Sequence, residues 1–208
     1  PDSQIASELY SSDGMLLGRY IRENRSPVTY DELSPKLVQA LIATEDVRFQ
    51  DHSGIDMKAM MRVFVKSILL GQDAGGGSTL SQQTAKNLFK TRTDASNGLL
   101  SSIPGLRMLI IKTKEWIVAT QLEKAYTKNE ILTLYLNTSD FGSNAFGIKT
   151  ASETFFNKTP ATLATEEAAV LVGLFKAPTY YSPVYNPENS LRRRNTVLAQ
   201  MMRNDYLT

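Results

Sequence analysis

Two adjacent carboxylates, Glu45 and Asp46, close an apolar helical pattern and are followed by Arg48, Phe49, the chain's one histidine, His52, and Gly54. A core helix has no need of that ending. A carboxylate at the mouth of an apolar pocket has its pKa lifted from about 4.3 toward neutrality, where it works as a general acid or base. Glu45 is the first candidate for that work. Asp46 reads as an orienting group or cap rather than a second base. His52 reads as structural, since no serine or cysteine pairs with it in a recognisable nucleophile motif.

A second stretch, Gly75 to Asn87, runs Gly-Gly-Gly-Ser-Thr-Leu-Ser-Gln-Gln-Thr-Ala-Lys-Asn. Glycines let the backbone approach a ligand closely, and the helix start that follows offers unpaired amides to an anion, with Lys86 about two turns on. The Gly-Lys-Ser/Thr ending of a nucleotide P-loop is missing. A third carboxylate, Glu115, falls on the same helical face as Ile111, Val118, Ala119 and Leu122, so it lies on a buried side. Such an acid is either paired, here by Arg107 or a lysine, or part of a cleft.

The elements that must position these groups are mainly helical. Residues 6 to 30 read as a hairpin turning at Asp13-Gly14. Ser34 and Pro35 give an N-cap and first residue for the helix carrying Leu37, Val38, Leu41 and Ile42 to Glu45. From Asp56 to Leu70 an apolar face of Met57, Met60, Met61, Phe64, Val65, Ile68 and Leu69 opposes a stripe of Lys58, Arg62 and Lys66. That is the pattern of a core helix with one solvated side or of a helix in a membrane interface, and the apolar stretch Gly98 to Ile111 adds weight to the second. A helix is expected over Lys112 to Lys124, another from a Thr127/Glu130 capping box, one ending near Phe156, one from Thr165 with Lys176 in its last turn, and one from about Ser190. The run Arg192 to Arg194 reads as a solvated helix face.

At 208 residues the chain suits one domain with its own core. The 23 basic and 21 acidic residues leave a net charge of +2, so nucleic acid is not a suggested partner. The absence of cysteine fits an oxidising compartment and, with a single histidine, excludes a metal site of histidine or cysteine type. No apolar run approaches the roughly 20 residues that span a bilayer, and the start at Pro1 without a signal peptide gives the look of a piece of something longer.

Three stretches together carry a resemblance: Glu45-Asp46-x-Arg48-Phe49-x-x-His52-x-Gly54, then Gly76-Gly77-Ser78-Thr79-Leu80-Ser81-Gln82-Gln83-x-x-Lys86-Asn87, then Lys112-x-Lys114-Glu115 leading to Leu122-Glu123. They resemble the ordered motifs of peptidoglycan glycosyltransferases, the glycan-polymerising domains of class A penicillin-binding proteins and their monofunctional relatives. Glu130 to Asn137, Phe141-Gly142 and Lys176-Ala177-Pro178 are similar to the same family, and the match spans about residues 30 to 198.

The resemblance implies a mainly α, lysozyme-like fold over residues 31–208, with a membrane-dipping jaw at about 56–111 and residues 1–30 as a linker hairpin. It implies lipid II, the undecaprenyl-pyrophosphate disaccharide-pentapeptide, and a growing glycan strand as substrates at the outer face of the bacterial cytoplasmic membrane. The hairpin at the start and the helix running off the end suggest a transmembrane helix before and a transpeptidase domain after. Glu45 matches the family's general base and Glu115 its second essential carboxylate. Ser78, Gln82, Gln83, Lys86 and Lys114 match positions lining the donor and acceptor sites, and Asp46, Phe49, Gly77, Thr79, Asn87, Arg92 and Lys112 are further expected substrate contacts. Two departures stand out: Ile111 occupies a position where the family commonly has arginine, and the stretch Lys90 to Ile111 is longer than usual, leaving Arg92 and Arg107 as arginines for the pyrophosphate.

The implied chemistry suits the residues. A sugar 4-hydroxyl needs a base, which Glu45 supplies. A pyrophosphate leaving group needs cations more than a proton: Lys86, Lys114, an arginine, or a divalent ion, Mg2+ or Mn2+, held partly by Glu115. Direct displacement inverts the anomeric centre. Two rivals accompany this expectation, a muralytic glycoside hydrolase using Glu45 as acid and an idle module that only binds lipid pyrophosphate.

Overall fold

The computed structural model describes residues 7–13, 16–20, 27–63, 65, 76–89 and 104–207. Strands β1 (Ser7–Tyr10) and β2 (Leu16–Tyr20) pair antiparallel, with a register shift between Leu9 and Tyr10. Eight α-helices follow among the described residues: α1 (Pro35–Glu45), α2 (Met57–Val63), α3 (Leu80–Phe89), α4 (Pro104–Ala125), α5 (Lys128–Thr138), α6 (Ile148–Phe156), α7 (Thr165–Leu174) and α8 (Pro187–Arg203). The architecture is mainly α.

Helix α1 starts where local chemistry says it must. Ser34 accepts the Lys36 N–H at 3.3 Å, and Pro35 sits in the first turn, where a missing N–H costs nothing. Leu37, Val38 and the run Ala40 to Ala43 are buried, because α7 and α8 cover one side of α1. The core that results joins Leu37 and Leu41 to Ile131, Leu132 and Leu136 of α5, Leu171 and Leu174 of α7, and Val197 and Met201 of α8. Helix α3 lies against α4 and α5, and its first residue, Leu80, meets the end of α1 at Asp46.

Helix α5 begins with a closed capping box: Thr127 Oγ1 accepts the Glu130 N–H, and Glu130 accepts the Thr127 N–H at 2.7 Å. Three boundaries differ from the sequence expectation. Lys112 to Lys124 belongs to one helix from Pro104, since proline is tolerated in a first turn and nothing between Gly105 and Lys112 breaks the pattern. Helix α8 begins at Pro187 for the same reason, ahead of Ser190. Helix α7 ends at Leu174, which leaves Lys176 beyond it. Of the expected jaw, residues 64, 66–75 and 90–103 lie outside the described residues, and Arg92 with them. Among the described residues no helix is long and apolar enough to cross a membrane.

Candidate active site

Glu45 is the last residue of α1, and Asp46 is that helix's C-cap. Asp46 turns inward: its Oδ2 accepts the Leu80 N–H at 2.9 Å, capping the start of α3, and it also accepts from His52 Nε2 at 3.0 Å. His52 Nδ1 accepts the Gly54 N–H at 3.2 Å, so the ring proton sits on Nε2 and points at Asp46. The pair therefore locks the end of α1 to the start of α3. Gly54 completes the lock. Its φ is +93°, and a Cβ there would lie 2.8 Å from the Ala119 carbonyl oxygen of α4. Its own carbonyl accepts from Thr79 Oγ1 at 2.7 Å and Gln82 Nε2 at 3.3 Å.

Behind this loop, Lys128 donates to the His52 carbonyl at 2.6 Å and to Glu123 at 2.8 Å, and Glu123 accepts from Ser81. Phe49, expected to touch substrate, is fully buried with the Lys128 ammonium 4.4 Å above its ring. It is a floor for the loop, not a wall of the cleft.

With its neighbours tied inward, Glu45 faces a cavity of about 740 Å³. Gln83 Nε2 donates to Glu45 Oε2 at 3.2 Å. Burial pushes the Glu45 carboxyl above its ordinary range; the Gln83 hydrogen bond and the Arg193 guanidinium pull the other way without cancelling it. That is the environment in which a carboxylate becomes a competent base.

A smaller cavity of about 210 Å³ adjoins the first, and Ser78 and Gln83 line both. Gln82, Lys86, Lys112 and Glu115 complete it. Glu115 is 2% exposed, and its Oε2 accepts from Lys112 Nζ at 2.7 Å, one helical turn away on α4. Lys112 also donates to Ser78 Oγ at 3.1 Å. Two ammonium groups and several amide and hydroxyl donors in a small space form a setting for phosphate oxygens. As a metal site it is poor: Glu115 is the one carboxylate lining it and is engaged by Lys112, and among the described residues no three metal-ligating side chains cluster. A Mg2+ or Mn2+ ion has too few protein oxygens here to be held without oxygens from a substrate.

Gly77 and Thr79 line the larger cavity, although the Thr79 hydroxyl is spent on Gly54. Two other expected contacts stand apart. Asn87 turns its amide to Ser139 Oγ at 3.4 Å and lines neither cavity. Lys114 is exposed and lines neither, because one residue short of Glu115 on a helix is about 100° around from it. Ile111, at the position of the family's arginine, is buried.

The sequence reading missed the opposite wall. Arg193, taken there as part of a solvated face, is half-buried, donates to the Gly173 carbonyl at 3.4 Å and lines the larger cavity with Thr196, Gln200, Arg203 and Asn204. These positions recur at helical spacing beside the buried seam of Val197 and Met201, which is the signal that was available. Lys176 and Arg62 add positive charge to the same cavity. Arg48 does not, being paired with Asp56.

The fold is one already seen in a solved structure: all of the chain matches 20% of the crystal structure of Penicillin-Binding Protein 1A from Haemophilus influenzae, with a TM-score of 0.53 at 22% identity. Residues 13–202 match the family model described as Transglycosylase, and the chain belongs to that family. Among curated relatives it is 38% identical to Penicillin-binding protein 1A of Escherichia coli (strain K12) over 99% of this chain and 23% of that protein. It is 37% identical to Penicillin-binding protein 1F of Bacillus subtilis (strain 168), over 98% and 27%, and 39% identical to Penicillin-binding protein 1A of Aquifex aeolicus (strain VF5), over 98% and 26%. The chain spans about a quarter of the length of these relatives.

Proposed function

We propose that this transglycosylase domain is a peptidoglycan glycosyltransferase that polymerises lipid II into glycan strands with inversion. The observation that carries the reading is the shared wall at Gln83, which sets a raised-pKa carboxylate beside a two-lysine cavity. In the reaction, the acceptor 4-hydroxyl oxygen attacks the donor's anomeric carbon while its proton passes to Glu45. The bond from that carbon to the lipid pyrophosphate breaks, and the bonding pair leaves on phosphate. Lys86 and Lys112 receive the developing charge. Glu115 holds Lys112 in place rather than touching the sugar first. A cation accompanying the pyrophosphate would use the same carboxylate.

The acceptor occupies the larger cavity, where Arg193 and Lys176 face it, and the donor's pyrophosphate the smaller. Residues 31–208 form the catalytic unit, and 1–30 a linker. Exposed Met57, Met61 and Val65 are where the domain meets the outer face of the cytoplasmic membrane, from which a lipid-anchored substrate arrives. A membrane anchor before this domain and a transpeptidase domain after it complete the protein.

The test is incubation with purified lipid II in detergent, alongside Glu45→Gln. A ladder of long glycans that the substitution abolishes is expected. Shortening of preformed strands instead would favour a hydrolase with Glu45 as acid, and lipid binding with no turnover would favour an idle binding module.

A further inference from the structure

Gln83 reaches Glu45 with the nitrogen of its amide, and its oxygen is held from the other side. Tyr135 of α5 donates its hydroxyl to Gln83 Oε1 at 3.1 Å, while Gln83 Nε2 donates to Glu45 Oε2 at 3.2 Å. Tyr135 is 2% exposed, its ring packed edge-on against Phe175 with centroids 5.0 Å apart. An amide has one acceptor end and one donor end. A phenol can donate or accept, and here it donates to Oε1, the arrangement that turns hydrogen, not a lone pair, toward the carboxylate.

We infer that Tyr135 is a positioning residue for the transfer reaction, acting through Gln83 to keep a hydrogen-bond donor on Glu45 and so keep that carboxylate ionised when the acceptor hydroxyl arrives. This rests on the reading of Glu45 as base. Burial and the nearby Glu45 charge raise the Tyr135 hydroxyl well above its ordinary range, so it remains a donor at every working pH. Other charges face Glu45: Asp46, paired with His52, at its own helix end, Lys86 of α3 and Arg193 of α8, while Lys176 and the Arg48–Asp56 pair line the same cavity. Tyr135→Phe changes none of these charges.

The experiment is a pH–rate profile in detergent with purified lipid II, from about pH 5 to 9, for the unmodified protein, Tyr135→Phe, Gln83→Ala, the double variant and Glu45→Gln. Phenylalanine keeps the ring against Phe175. The expected result for Tyr135→Phe is an acid limb displaced upward by about one pH unit, hence about tenfold lower rates on that limb, with recovery at high pH and KM within about twofold. On the Gln83→Ala background the same substitution has no further effect. A uniform loss at all pH values, an unmoved limb, or additive effects with Gln83→Ala would each overturn the inference. If phenylalanine unfolds the chain, 3-fluorotyrosine installed at position 135 decides instead: a stronger donor moves the limb to lower pH, and an unmoved or raised limb refutes the relay. Glu45→Gln separates the two levels. Should it polymerise normally, the base reading itself fails; should it be dead while Tyr135→Phe is unshifted, only the relay fails.

Discussion

Glu45 carries the largest conflict between stability and chemistry. Its folded pKa lies above the unfolded value, so the native state holds this proton more tightly than the unfolded chain. The stabilisation is present below the unfolded pKa, about 4.3, and is lost as pH rises through the higher folded value. Glu45→Gln removes a charge that burial disfavours and retains the shape. It should abolish polymer formation yet stabilise the fold at neutral pH, with the gain in melting temperature disappearing in acid. Equal melting temperatures at neutral pH would contradict the raised pKa. Glu115 differs in being buried against an ion-pair partner, Lys112. Lys112→Ala leaves a buried carboxylate without that partner and should cost about 2 kcal/mol. Adding Glu115→Gln should restore the melting temperature but not the activity, since the smaller cavity still lacks an ammonium.

Short elements transmit the fold to the site, and their signals vary in range. Ser34-Pro35 and Thr127 with Glu130 were legible because a cap is chemistry within four residues. For Glu115 the sequence left Arg107, a lysine or a cleft open, and the fold supplies Lys112 from the same helix. Arg193 and Tyr135 were not legible, since their partners lie on other helices and only packing brings Gly173 or Gln83 to them. Phe49 and Asn87 were misplaced because membership of a motif does not say which side of a loop faces the cleft. Gly54 is the element-scale test. Gly54→Ala faces both a positive φ and a clash with the Ala119 carbonyl, and should destabilise by about 2 kcal/mol or more. Activity should fall even below the melting transition, because the loop positions Asp46 and through it the start of α3. Full activity in a folded alanine variant would show the loop to be dispensable.

At the scale of the whole molecule, the core of α1, α5, α7 and α8 is one body, and the exposed apolar side chains of α2 stand away from it. Met57 and Met61 are 63% and 57% exposed, so replacing both with serine should hardly alter stability. The double variant should pellet less with vesicles of anionic lipid while retaining turnover of lipid II in detergent micelles. Unchanged vesicle binding would move the membrane contact elsewhere. The mainly helical class was legible from periodicity, because helix burial repeats locally. The two-chamber cleft was not, because its walls come from residues more than a hundred positions apart.

That common wall bears on resistance to antibiotics. A blocker that lodges a phosphate between Lys86 and Lys112 and leans on Gln83 would contact the side chain that also serves Glu45. Escape by mutating Gln83 then strips Glu45 of its donor, and escape at Lys112 takes the ammonium from Glu115. A drug aimed at this seam meets a target whose simplest evasions disable the enzyme.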